Sequence, residues 1–194
     1  ILAISKDLKL KRIYFQNKNE IIELYDNFQE KNQDLEFVEL SMLTMLETIG
    51  HSAFADCINL TVDNLVSAIF IDSYGFSNCS SLSLPSLPSN LSELGMWAFN
   101  RTTSLGQLSF YCPDLKLIPD SCFQYSTLSI DTQTLSSGIT EVGSNAFADC
   151  PNLVLNFNDS EGAPSLKTIH TNAFQRSPQI NLANFPVNIE TIRS

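Results

Sequence analysis

The stretch ETIGHSAFADC, from Glu47 to Cys57, returns far downstream as EVGSNAFADC, from Glu141 to Cys150. The two phenylalanines, Phe54 and Phe147, stand 93 positions apart. A catalytic loop has no reason to be duplicated in this way, whereas a structural unit stacked on copies of itself does. Weaker copies fill the interval: IDSYGFSNC places Phe76 and Cys79, LGMWAFNRT places Phe99, IPDSCFQYS places Phe123, and IHTNAFQRS, after the second copy, places Phe174. From Phe54 onward the phenylalanines are 22, 23, 24, 24 and 27 residues apart. Such a period marks a solenoid, whose units bury their apolar faces only against their neighbours.

Each unit divides into three pieces. The first alternates two apolar residues, as in Leu60 and Val62, Leu82 and Leu84, Leu108 and Phe110, Leu128 and Ile130, Leu153 and Leu155, Ile180 and Leu182. Alternation sets both on one face of an extended strand, and stacked copies predict one parallel sheet. The second piece spaces its apolar residues by three, as in Leu46 and Ile49, Leu115 and Ile118, or Ile139 and Val142. The third sets a small residue beside a large one, as in Ala53-Phe54, Ala98-Phe99, Ala146-Phe147 and Ala173-Phe174. A short helical turn is expected there, with the ring filling the space between layers.

The pattern Ile-Gly-x-x-Ala-Phe-x-x-Cys-x-x-Leu, followed by a Leu-x-Val strand, resembles the BspA type of leucine-rich repeat, found in cell-surface proteins of bacteria and some protozoa. The resemblance covers residues 46–192, with departures at Thr102, Ser126 and Ser177 in place of Cys and at Gly75 and Cys122 in place of Ala. It implies an α/β repeat solenoid, a curved stack with a parallel sheet on one face and short helical turns or loops on the other. Residues 46–194 are expected to form repeats of about 22–27 residues, with Ile189 to Ile192 opening a truncated last unit.

Residues 1–45 read as a degenerate N-terminal repeat or cap. Ile21, Leu24 and Phe28 also fit an amphipathic helix, but they match the repeat spacing, with Leu35 and Phe37 as the following strand and Leu8 and Leu10 as the preceding one. Terminal repeats are atypical because they turn a polar face outward. The cluster Lys6, Lys9, Lys11, Arg12 and Lys18 suits such a solvated end.

The 194 residues carry 11 basic and 21 acidic side chains, a formal net charge of −10. That balance disfavours nucleic acid and anionic membranes as partners. No apolar run approaches the roughly 20 residues that span a bilayer, and no signal peptide opens the sequence.

Of the five cysteines, Cys57, Cys79 and Cys150 share one inward repeat position, Cys122 takes an inward Ala position and Cys112 falls outside the pattern. Buried free thiols are the expectation, with a Cys57–Cys79 bridge between neighbouring units as the alternative. The two histidines, His51 and His170, lie five units apart, about 24 Å at a rung spacing of about 4.8 Å, so they share no catalytic site. Asp159 and Glu161 lie in an insertion that matches no ion-binding loop, so no metal and no cofactor is expected. Acceptor sequons occur at Asn59, Asn78, Asn90, Asn100 and Asn158.

The resemblance implies a non-enzymatic cell-surface or secreted, extracellular interaction module that binds a protein or glycan, through adhesion or a related contact. The candidate ligand-binding face is the set of outward strand positions, Thr61, Asp63, Ser83, Ser109, Ser129, Asp131, Asn156, Asn158 and Asn181. Alternation leaves these short polar residues free of the core. A structural spacer displaying another domain is the alternative, and a glycan-active hydrolase a more distant one.

Overall fold

The computed structural model describes residues 10–16, 18–130, 135–156, 165–181 and 189–193. Among them the chain forms fifteen short strands and a single helical piece, the 3-10 turn Lys18–Glu20. In chain order the strands are β1 (Arg12–Ile13), β2 (Glu23–Leu24), β3 (Phe37–Val38), β4 (Thr48–Ile49), β5 (Thr61–Val62), β6 (Phe70–Ile71), β7 (Glu93–Leu94) and β8 (Gln107–Leu108). They continue as β9 (Leu117–Ile118), β10 (Ser129–Ile130), β11 (Glu141–Val142), β12 (Val154–Asn156), β13 (Thr168–Ile169), β14 (Gln179–Asn181) and β15 (Thr191–Ile192). Every strand pairing is parallel, and the chain winds as a β-solenoid of about seven coils.

Two ladders run along the stack. The first joins β1, β3 and β5, then β8 with β10, then β12 with β14; the second joins β2, β4, β6 and β7, then β9, β11, β13 and β15. Inward residues meet their counterparts in register, as Val38 meets Val62 and Val142 meets Ile118 and Ile169. The single expected sheet is therefore two ladders, and the first is in pieces. Leu82 and Leu84 are buried as the alternation requires, but residues 82–84 form no strand, and pairing resumes only at the bridge from Ser86 to Ser109.

The α/β description is not met among the described residues: the spacing by three of the second piece leads through a tight turn into a strand. Leu46 donates its amide to the Leu43 carbonyl at 3.1 Å, closing a turn, and Ile49 then enters β4. The Ala-Phe piece is also not helical. In each coil two residues four apart hold left-handed backbone, such as Ser52 and Asp56 or Asn145 and Asp149; the fourteen residues of this kind have φ between 53° and 61°. That geometry turns alternate amides along the stack axis. Ser52, Phe54 and Asp56 donate to the carbonyls of Ser73, Gly75 and Ser77 in the next coil, at 3.0, 2.9 and 2.9 Å. Ala53, Ala55 and Cys57 donate back to Gly50, Ser52 and Phe54 within their own turn. The same three intercoil bonds recur at six successive interfaces, from Asn27 to Gln175, at 2.6–3.2 Å.

Inside this turn ladder the phenylalanines stack. From Phe54 through Phe76, Phe99, Phe123 and Phe147 to Phe174, centroids are 5.3–5.6 Å apart and ring planes lie within 13° of parallel. Each buried ring contributes about 1.5–3 kcal/mol of transfer free energy, with about 0.5–1.5 kcal/mol more for each aromatic pair.

The first coil departs by one residue. Leu24 to Phe28 is one step shorter than Ile49 to Phe54, so Phe28 takes the Ala place and meets Phe54 edge-on, at 5.8 Å and 83°. Gln29 takes the ring's place and is buried with Asn32, whose amide donates to Gln29 Oε1 at 2.7 Å and to the Leu10 carbonyl at 2.9 Å. Strands also shift here: the first strand among the described residues is β1, Arg12–Ile13, with Leu10 outside it and Leu8 outside the described residues, and Val38, not Phe37, points inward.

The repeat's glycine has a steric cause. A Cβ on Gly143 would lie 2.5 Å from Asp120 Oδ1, and that oxygen accepts the Ser144 amide at 2.7 Å. Gly50 makes the same room for Asp26, which accepts the His51 amide at 2.9 Å.

Phe147→Ala opens a cavity between two rings, and is expected to cost about 3–5 kcal/mol in denaturant unfolding. A loss below about 1 kcal/mol would place the ring outside the core.

Candidate functional site

The outward positions of the first ladder do not form one free polar face. Thr61 is exposed, yet its hydroxyl donates to the Glu36 carbonyl of the preceding coil at 2.7 Å. Asp63 is committed more fully: its Oδ1 accepts the amides of Leu40, Ser41 and Asn64 at 2.9, 3.0 and 3.0 Å, and Oδ2 accepts the Ser41 hydroxyl. Burial raises the Asp63 pKa, but the bonds from the Ser41 hydroxyl and amide, then from Asn64 and Leu40, outweigh it and hold the carboxyl below its ordinary value. Asp63 is thus a clasp between coils rather than a solvated contact residue.

Ser83 is exposed but lies outside any strand. Ser109 and Ser129 are half-buried, Ser109 bridging to Ser86 and Ser129 pairing with Gln107. Asn156 and Asn181 are paired through the backbones of β12 and β14. Asp131 and Asn158 lie outside the described residues, as do Asp159 and Glu161. Because the first ladder is interrupted between β5 and β8, Thr61 and Ser109 are not successive rungs of one sheet.

All five cysteines are buried free thiols, including Cys112, and none forms the Cys57–Cys79 bridge. Cys79 Sγ donates to the Phe54 carbonyl and Cys150 Sγ to the Phe123 carbonyl, each at 3.0 Å. At the equivalent places Thr102, Ser126 and Ser177 donate hydroxyls to Phe99, Phe123 and Phe147 carbonyls at 2.6–2.7 Å. Thr102 and Ser126 close their own turns, whereas Cys79, Cys150 and Ser177 reach back to the preceding coil; a small donor within reach of a phenylalanine carbonyl is what the position requires, which is why Cys, Ser and Thr exchange there. Burial pushes the Cys57 thiol up to about 12, Cys112 to about 12 and Cys150 to about 11.

The histidines occupy neighbouring, not equivalent, columns. His51 meets Tyr74 edge-on at 5.6 Å, and His170 bonds the Glu141 carboxylate. Four sequons are described: Asn59 and Asn90 are exposed, Asn78 is half-buried against Asp56, and Asn100 is buried with its amide on the Gln124 carbonyl.

Sequence reasoning missed the outer edge of the turn ladder. Tyr74 stacks on Trp97 at 5.1 Å and 9°, Arg101 lies 5.1 Å over the Tyr125 ring, and Arg176 pairs with Asp149 through Nη2 at 2.6 Å. The signal was present as a column: all six are left-handed residues at the two recurrent turn positions.

The family described as BspA type leucine rich repeat region matches residues 25–154 and 70–194, in six copies. The chain belongs to the BspA-type leucine-rich repeat family. No curated protein matches this BspA-type chain. Among solved structures, it is 21% identical to the pneumococcal vaccine antigen PcpA, with a TM-score of 0.46 over 89% of this chain and 50% of that one. A leucine-rich repeat protein from Bacteroides ovatus is 20% identical, with a TM-score of 0.42 over 89% of this chain and 57% of that one. A leucine rich cell surface protein from Faecalibacterium prausnitzii is 14% identical, with a TM-score of 0.29 over 89% of this chain and 76% of that one. The chain thus spans about half the length of the first two.

Two outcomes follow from the site's geometry. At pH 8 a maleimide is expected to leave all five native thiols unlabelled and to label all five after denaturation, read by intact mass; rapid native labelling at Cys57 or Cys150 would contradict their burial. Asp63→Ala is expected to cost about 1 kcal/mol at neutral pH. Because the folded pKa is depressed, that contribution is present above the ordinary carboxylate range and is lost as pH falls through the folded value, so variant and parent stabilities should converge in acid.

Proposed function

We propose that this chain is a non-enzymatic interaction module of a cell-surface or secreted protein, engaging a protein or glycan through the solenoid's outer surface. The observation that supports this most is the turn ladder, which repeats at six interfaces and fixes outward side chains in rows that rise about 4.8 Å per coil. Rows of this kind present a pre-ordered surface, so little conformational entropy is lost when a partner docks. Membership in the BspA-type family supports the surface setting.

Ser109 and Ser129 on the first ladder, with Ser83 in the gap between β5 and β8, are the candidate contacts we retain once Asp63 is assigned to the fold. The triple change to Lys is expected to weaken binding to a panel of extracellular-matrix proteins and glycans at least tenfold while leaving the melting temperature nearly unchanged. Gln33, Ser104 and Gln175, exposed on turns, changed to Lys serve as the charge control. Binding lost only in the control set would move the contact to the turn side. No binding by the parent to any panel member would favour a spacer instead.

A further inference from the structure

The net charge of −10 is not spread over the molecule. Residues 21–100 hold eleven of the twenty-one acids and a single base, Lys31, while the remainder holds ten of each. The whole net charge therefore belongs to this stretch, which contains β2 to β7. Large apolar side chains are exposed there too. Ile22, Met42, Met45, Val66, Ile69 and Met96, together with Tyr25, are seven of the twelve large hydrophobic residues exposed among the described residues, at 39–52%. They precede the second-ladder strands, lie in the loops that enter them, or follow at their exit.

Backbone register arranges part of this set into two columns. Glu47 donates its amide to the Ile22 carbonyl, Ile69 to Glu47 and Ser92 to Ile69, at 2.7, 2.8 and 2.9 Å, so Ile22, Glu47, Ile69 and Ser92 follow one another across successive coils. Beside them, strand pairing aligns Glu23, Thr48, Phe70 and Glu93. Their inward neighbours Leu24, Ile49, Ile71 and Leu94 are buried, so these columns form the outer face of the second ladder. Lys31, the stretch's one base, is paired with Glu30 at 2.8 Å, and no described ion pair involves Glu23, Glu47 or Glu93.

We infer that the outer face of β2, β4, β6 and β7 docks a cationic amphipathic helix of a protein partner. Charge complementarity selects the sign: exposed apolar side chains flanked by unpaired carboxylates fit a segment that carries leucine-like residues between lysines or arginines. Spacing selects the helix. Ile22 and Ile69 are two coils apart, about 9.6 Å at about 4.8 Å per coil. Helical residues seven apart share a face and rise about 10.5 Å, close to that step. Same-face residues of an extended strand recur about every 6.6 Å and fall out of step with it. This inference rests on the reading of the chain as an interaction module, and it adds a contact on the second ladder, distinct from the polar residues of the first-ladder side.

The test uses the full chain and a synthetic amphipathic helix with Leu at positions four and three apart and Lys on both flanks. Binding is measured by fluorescence anisotropy at physiological salt. A scrambled peptide of the same composition and charge is expected to bind at least tenfold more weakly. The variant Ile22→Ser with Ile69→Ser, which leaves the charge untouched, should also lose at least tenfold, as should Glu47→Lys with Glu93→Lys, both with melting temperatures near the parent's. Equal binding of the scrambled peptide, or unchanged binding by the Ile22/Ile69 variant, would overturn the inference by reducing the contact to general charge attraction. Should a matrix protein or glycan from the panel bind while the helix does not, this inference fails and the interaction-module reading stands; if neither binds, both fail.

Discussion

The constraint on which the fold depends is the pair of left-handed residues in every turn. Holding Ser52 and Asp56, or Trp97 and Arg101, at positive φ aims alternate amides at the next coil and leaves the others to close the turn locally. For a residue with a Cβ this conformation costs on the order of 1 kcal/mol, less for the six Asn and Asp among the fourteen. What offsets it is cooperative. The geometry that presents three amides to the next coil also stacks each phenylalanine on its neighbour, so intercoil hydrogen bonds and ring burial are gained together. The turn ladder crosses the interface between β7 and β9, where the second ladder is interrupted, through Trp97, Phe99 and Arg101 donating to Asp120, Cys122 and Gln124. Continuity of the solenoid therefore resides in the turns more than in the strands.

Much of this was legible in the sequence, for identifiable reasons. A ring that must stack on another ring tolerates few substitutes, so Phe54 to Phe174 recur in plain view, and the inward residues of both ladders follow from alternation and from spacing by three. The cysteine column was legible as an inward position, although its chemistry was not: Cys150 and Ser177 exchange because each supplies a small donor to a carbonyl. The helical expectation at the Ala-Phe piece failed because a small residue beside a ring suits a turn held by two left-handed residues as well as it suits a helical turn. The glycine of Ile-Gly-x-x-Ala-Phe carries a message that only the fold decodes, since it makes room for an aspartate of the preceding coil.

The candidate site was less legible than the core. Alternation correctly turned Thr61 and Asp63 outward, but exposure does not make a side chain available, and the Asp63 carboxylate is spent on the backbone of residues 40, 41 and 64. The concentration of charge in residues 21–100 was countable from the start. Its meaning depended on intercoil register, because Ile22, Glu47 and Ile69 are distant in sequence and become one column only when the coils are stacked. The two ladders consequently offer different chemistry, hydroxyl and amide groups on one and an acidic, apolar face on the other.

Hydrogen exchange resolved at single amides tests the primacy of the turn ladder most directly. If the turns hold the stack, the amides of Phe54, Phe76, Phe99, Phe123 and Phe147 should exchange only through global unfolding, as slowly as any strand amide, and those of Trp97 and Phe99 should be protected even where the second ladder is interrupted. Fast local exchange at these phenylalanine amides, with protection confined to the strand ladders, would contradict it.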